Sequence, residues 1–121
     1  MTKMKKLFKY HFKSFGYAFT GIKTLFATEH NMLIHLMATI IAIASGWYRG
    51  FNTIKWCILI GIIAMVWMAE AFNTAIERLC NKVQTEYHPV IKQVKDISSA
   101  AVLICAIAAV IIGIILFFSP S

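Results

Sequence analysis

The chain is short of acids. Of its 121 residues only five are acidic, Glu29, Glu70, Glu77, Glu86 and Asp96, against twelve lysines and arginines. Its six glycines never fall in a GxxxxGK[ST] or GxGxxG run, which excludes the two common glycine-rich phosphate cradles. Three cysteines, Cys57, Cys80 and Cys105, are an odd number with no CxxC pair. They argue against a disulfide framework or a thiolate metal site and are expected as buried small apolar residues. The first 25 residues hold no continuous apolar run with a small-residue cleavage site, so no secretory signal is expected. The basic residues flank apolar runs and form no aromatic-interleaved patch, which speaks against a nucleic-acid partner.

What fills the chain instead is apolar. Hydrophobic residues make up 60% of it and the mean hydropathy is +0.72, far beyond a soluble domain of this size. The expected fold is an all-α membrane protein, a single domain over residues 1–121 without internal repeats. Three transmembrane helices are expected at 32–48, 54–80 and 97–118, with a loop at 81–95. Ten of the twelve basic residues precede the first apolar run or follow the second; only Arg49 and Lys55 lie between them. By the positive-inside rule the N-terminus and the 81–95 loop of this multi-pass membrane protein are cytoplasmic.

Residues 5–27 read as an amphipathic surface helix. Phe8, Phe12, Phe15, Phe19, Ile22 and Phe26 form a narrow apolar stripe opposite Lys6, Lys9 and Lys13. Gly16 and Gly21 interrupt it, leaving room for a close approach. Thr28 is expected as the N-cap of the first span with Asn31 at its third position, and Glu29 as a further capping residue. His35, one turn after Asn31, reads first as a packed, hydrogen-bonded histidine. In the second span Gly61, Ala64, Ala71 and Ala75 suggest a close-packing side away from the polar face; Ala101, Cys105, Ala109 and Gly113 suggest another in the third. Asp96, Ser98 and Ser99 read as an N-terminal cap cluster for that third span.

The stretch from Glu70 to Glu77 carries the chemistry. Glu70, Asn73, Thr74 and Glu77 are spaced i, i+3, i+4, i+7 and share one helical face, with the two carboxylates about 10 Å apart along the axis. A carboxyl group at membrane depth needs a partner and usually has a function. Acidic oxygens beside Asn73 suit Mg²⁺ with a phosphate, Lys95 can meet that phosphate as a point charge, and a carboxylate there can deprotonate a lipid hydroxyl. The same glutamates would also serve a proton-coupled transporter or a non-enzymatic membrane subunit gripping partner helices.

Glu70-Ala-Phe-Asn-Thr-Ala-Ile-Glu77, Glu86-Tyr-His88 and Val94-Lys-Asp96-Ile-Ser-Ser-Ala-Ala-Val102 resemble the signatures of the prokaryotic diacylglycerol kinase family, which also contains the undecaprenol kinases. The similarity spans nearly the whole chain, Gly16-Tyr17 and Glu29 included. It implies a homotrimer, each subunit with three spans and a surface helix, that transfers the γ-phosphate of MgATP to a lipid alcohol. By the resemblance Glu70 is the catalytic base and Asn73 a supporting polar residue. Glu29 and Glu77 bind metal and ATP, with Mg²⁺ as cofactor. Tyr17, Glu86, Tyr87, His88, Lys95 and Asp96 fall on nucleotide-binding positions, and Ser99 on a lipid-side position. Asn31-Met-Leu-Ile-His35 looks like the undecaprenol kinase branch, so Asn31 and His35 join the lipid side and undecaprenol is favoured over diacylglycerol. Two departures stand out: Tyr10 where the better-known members have arginine, and Ser98 where they have glycine. Three spans are too few to enclose the Glu70 face, so the site is expected to be shared between subunits.

Overall fold

The computed structural model describes residues 2–120, which form four helices and, among the described residues, no strand. They are α1 (Lys3–Thr28), α2 (Asn31–Arg49), α3 (Thr53–Val83) and α4 (Pro89–Phe118). The last three are long and apolar enough to cross a membrane. At 1.5 Å per residue, α3 and α4 reach about 45 Å and outrun a hydrocarbon core of about 30 Å. Each therefore has at least one end outside the hydrocarbon, where polar residues are tolerated. The chain divides into two compact units, residues 1–34 and 35–121.

In the first unit α1 starts at Thr2, whose hydroxyl accepts from the Lys5 amide. No residue of α1 is buried, and its lysines are as exposed as its phenylalanines, except the half-buried Phe26. Ser14, Thr20, Thr24 and Thr28 each donate their hydroxyl to the carbonyl four residues back, which satisfies these hydroxyls within the helix. Gly16 and Gly21 do not interrupt α1. The helix runs through both, and nothing lies within 4 Å of where a Cβ would sit. Thr28 is not the N-cap of α2 either. It closes α1, and its hydroxyl bonds backwards to Thr24. Glu29 is the C-cap of α1, extended at φ −115°, ψ 116°, with its N–H on the Leu25 carbonyl. Backbone bonds from Met32 to the Glu29 carbonyl and from Leu33 to the His30 carbonyl then open α2.

The second unit is built on the packing of α3 against α4. Its core is Phe51, Leu59, Ile62 and Leu116, with Ala42, Trp56 and Phe117 packed around them. The α2–α3 turn is forced by glycine. Gly50 takes φ +67°, and the amides of Gly50 and Phe51 return to the carbonyls of Trp47 and Gly46, the Schellman arrangement. A side chain at Gly46 would meet Phe51 at 3.0 Å, so that glycine lets the Phe51 ring fold back under α2. Asn52 then caps α3 by accepting from the Lys55 amide at 2.9 Å. Lys55 is itself buried, and its ammonium donates to the carbonyls of Leu116 and Ser119 at 3.1 and 3.0 Å. The cation thus closes the C-terminus of α4, where the helix dipole favours positive charge.

Further expectations fail here. The connection between α3 and α4 is not 81–95 but residues 84–88 alone. Pro89 does not sit inside a loop; it is the first residue of α4 and follows the N-cap His88, whose Nδ1 accepts from the Val90 amide. Proline fits the first helical position because its missing N–H would have no helical partner there. Asp96, Ser98 and Ser99 consequently lie two turns inside α4 and cap nothing. Another failure concerns the helix faces. Gly61, Ala64, Ala71 and Ala75 are all exposed, and α3 buries Lys55, Leu59, Ile62, Glu70, Thr74 and Cys80 instead. The polar face of α3 is therefore its packing face within this chain. On α4 a buried or half-buried stripe, Ile91, Lys95, Ser98, Val102, Cys105, Ala109, Ile112 and Leu116, recurs every three or four positions. This stripe includes part of the expected small-residue row, but Ala101 falls outside it. Cys57 is exposed, contrary to expectation, whereas Cys80 is buried; all three thiols are free.

Candidate active site

Glu70 lies on α3, five turns from Asn52 and within four turns of the 84–88 connection. Its residue is 9% exposed. Such a carboxylate needs a donor, and α2 supplies it: His35 Nε2 lies 3.0 Å from Glu70 Oε1. One turn away a second cross-helix bond repeats the pattern. Trp67 Nε1–H donates to Thr39 Oγ1 at 2.9 Å, and the Thr39 hydroxyl donates to the His35 carbonyl at 2.7 Å. The pairs 35/70 and 39/67 fix α2 antiparallel to α3 in one register. An apolar groove of about 190 Å³ begins at His35, Thr39 and Trp67 and ends at Ala109, Gly113 and Phe117.

One turn along α3, Asn73 Oδ1 accepts from the Ser98 hydroxyl of α4 at 2.8 Å. Ser98 is buried, while its neighbour Ser99 is exposed. Helical geometry explains the pair: side chains 100° apart cannot both face α3. Glu77, a further turn on, is half-buried and makes no hydrogen bond or ion pair among the described residues. No three His, Cys, Asp or Glu side chains there gather as a metal cluster. A Mg²⁺ that arrives with a nucleotide does not need one. It takes one or two carboxylates and completes its shell with phosphate oxygens and water. The open carboxylate of Glu77 fits that requirement by its donor chemistry.

The third group surrounds the 84–88 connection. Glu86, Tyr87, His88 and Lys95, all expected from the sequence, line a polar cavity of about 340 Å³ together with Asn81 and Lys92. Lys95 donates its ammonium to Asn81 Oδ1. Asp96 is held away from it and pairs with Lys92 at 2.6 Å on the exposed side of α4. His88 already uses Nδ1 as the helix cap, so Nε2 is the ring nitrogen left for a ligand. Tyr17, exposed on α1, with Glu29 and Asn31, belongs to the first unit.

Ser98, Thr39, Trp67, Asn81 and Lys92 carry no expected site role. Ser98 had a signal, since a serine in place of the family's glycine brings a hydroxyl to the seam. The others had none, because each partner sits 14 to 28 residues away or was read as loop.

Comparison with known proteins finds relatives over most of the chain. The profile described as prokaryotic diacylglycerol kinase matches residues 16–117. The undecaprenol kinase of Bacillus subtilis is 33% identical over 106 residues, covering 88% of this chain and 86% of the relative. The diacylglycerol kinase of Escherichia coli is 32% identical over 107 residues, covering 88% of each. A diacylglycerol kinase of Helicobacter pylori is 30% identical over 99 residues, covering 82% of this chain and 77% of the relative.

Proposed function

The chain belongs to the prokaryotic diacylglycerol kinase family and is an ATP-dependent lipid kinase, and on that premise we propose that Glu70 is the base that activates the lipid hydroxyl. The carrying observation is the buried carboxylate of Glu70 with a single side-chain partner. His35 occupies Oε1. No buried side-chain oxygen among the described residues lacks a partner, so Oε2, which has none, is reachable from outside. The hydroxyl proton passes to Oε2 as the hydroxyl oxygen bonds to the γ-phosphorus. The bond from that phosphorus to the β,γ-bridging oxygen breaks, and ADP leaves.

Glu86, Tyr87, His88 and Lys95 frame the nucleotide side, with Lys95 as the point charge toward phosphate. Asp96 belongs to the same side, and Asn73 supports Glu70 from the next turn; Tyr17 and Glu29 are assigned to the nucleotide by the family resemblance alone. Glu77 is the carboxylate that would receive Mg²⁺, which would supply charge neutralisation at the phosphates; Glu29 is assigned to the same ion by the resemblance alone. On the lipid side are Ser99, Asn31 and His35, and undecaprenol is the favoured acceptor, on the Asn31–His35 segment, with diacylglycerol second. The enzyme works as a homotrimer in the bacterial inner membrane. Its N-terminus and site face the cytoplasm, the side of ten of its twelve basic residues and of ATP.

The test is transfer of radiolabelled phosphate from ATP by purified protein in micelles, with undecaprenol and diacylglycerol side by side. Glu70→Gln keeps the size and the bond to His35 but cannot take the proton. Its kcat is expected to fall about 10²-fold or more, with ATP affinity little changed. Wild-type protein that yields no phospholipid with either alcohol would return the transporter or subunit reading, and Glu70→Gln activity within about threefold of wild type would remove the base.

A further inference from the structure

Glu70 and His35 meet from different helices, 35 residues apart. The side chains are 12% and 23% exposed, so neither is freely hydrated. A carboxylate accepts only, so His35 Nε2 must carry the hydrogen of this bond. It engages Oε1 and leaves Oε2 as the only oxygen of Glu70 without a partner among the described residues. One turn along, a separate tie joins α2 to α3 through the His35 backbone and not through its ring. The His35 carbonyl accepts the Thr39 hydroxyl, and Thr39 accepts Trp67 Nε1–H from the turn of α3 before Glu70. His35 and Trp67 also stand ring to ring, 6.3 Å between centroids. α2 is thus tied to α3 at two separate points, and only the bond to Glu70 and the contact with the Trp67 ring involve the imidazole itself.

From this geometry we infer that His35 is the positioning residue of the base: its Nε2–H fixes the rotamer of Glu70 so that Oε2 points at the acceptor hydroxyl. The inference rests on Glu70 being the base, and it assigns His35 a role other than contact with the lipid. A glutamate in a helix has three side-chain torsions, and without a donor on Oε1 its carboxylate samples several directions. A reacting oxygen misplaced by about 1 Å can lose up to 10²-fold in rate. The role is therefore visible in kcat, not in nucleotide binding.

Four variants in micelles test it, each measured for kcat and for KM of ATP and lipid alcohol. His35→Leu fills the space without a donor, and a fall in kcat of about tenfold or more is expected, with KM for ATP within about twofold. His35→Gln can place an amide N–H near the position of Nε2, and recovery of at least about a third of wild-type kcat is expected. Thr39→Val removes the other cross-helix tie and leaves the Glu70 bond in place; it is expected to stay within about threefold of wild type. Glu70→Gln serves as the reference for loss of the base. His35→Leu activity close to wild type beside an inactive Glu70→Gln overturns the positioning role and leaves the base intact. Equal losses in Thr39→Val and His35→Leu overturn it in favour of helix docking, as does a His35→Gln no better than His35→Leu. An active Glu70→Gln removes the base and the positioning role together.

Discussion

Glu77 is the side chain whose chemistry is least accounted for by the fold. Glu70 and Asn73 on the same face have cross-helix partners at 3.0 and 2.8 Å; Glu77, half-buried, has none among the described residues. In the proposed reading this carboxylate is the ligand for Mg²⁺ brought by ATP, which would supply the charge it lacks. Glu77→Gln should therefore raise the Mg²⁺ needed for half-maximal activity by about tenfold or more, whereas Glu70→Gln should leave the residual activity with an unchanged Mg²⁺ midpoint. A Mg²⁺ titration of both variants decides it; an unshifted midpoint in Glu77→Gln would remove the metal role. Ser98 belongs to the same seam. Its hydroxyl satisfies Asn73 across the α3–α4 packing, which a glycine cannot do.

Helix ends decide how the seam is aligned. At one end His88 and Pro89 start α4 eight residues earlier than hydropathy suggests, and this brings Lys92, Lys95 and Ser98 onto regular helical positions facing or flanking α3. At the other end Lys55 ties α4 to the first turn of α3 through two carbonyls, with the Phe51 ring 5.3 Å below the cation. Lys55→Met keeps the buried stem but drops both charge-assisted bonds and strands two carbonyls. A loss of about 1–3 kcal/mol of stability is expected, read as earlier thermal unfolding in micelles. Glu70 lies fifteen residues along α3, about 22 Å away, so kcat at low temperature should stay within about twofold of wild type. A large kcat loss without a stability change would mean that the two ends of the bundle are coupled.

The described chain covers little of its own surface. Isoleucines, leucines and aromatics of α2, α3 and α4 are exposed along their lengths, as lipid or other subunits require. The small-residue side of α3, free of any contact at Gly61, is available to neighbouring helices. In the proposed homotrimer the base and part of the nucleotide site come from different subunits. Glu70→Gln and Asp96→Asn protein, each inactive alone, should regain partial activity when unfolded together and reassembled. A mixture no more active than either parent, with mixed trimers shown by cross-linking, would place both residues in one subunit's site.

Three spans, the amphipathic first helix and the polar run from Glu70 to Glu77 were legible before any coordinates. Each rests on a local period: apolar runs long enough for a bilayer, a stripe spaced four and three, polar side chains one and two turns apart. The motif residues around Tyr87 were legible too, through the resemblance. The face of α3 that packs was not. Small residues announce a helix contact but not whose, and here that side stays uncovered while the polar side meets α4. The start of α4 was misplaced because proline breaks a helix or begins one, and which it does depends on the cap before it. Glu70 with His35, Asn73 with Ser98 and Lys95 with Asn81 could not be read either. A buried polar group declares in the sequence that it needs a partner, but the partner is set by the register in which distant helices pack, and no local pattern encodes that register.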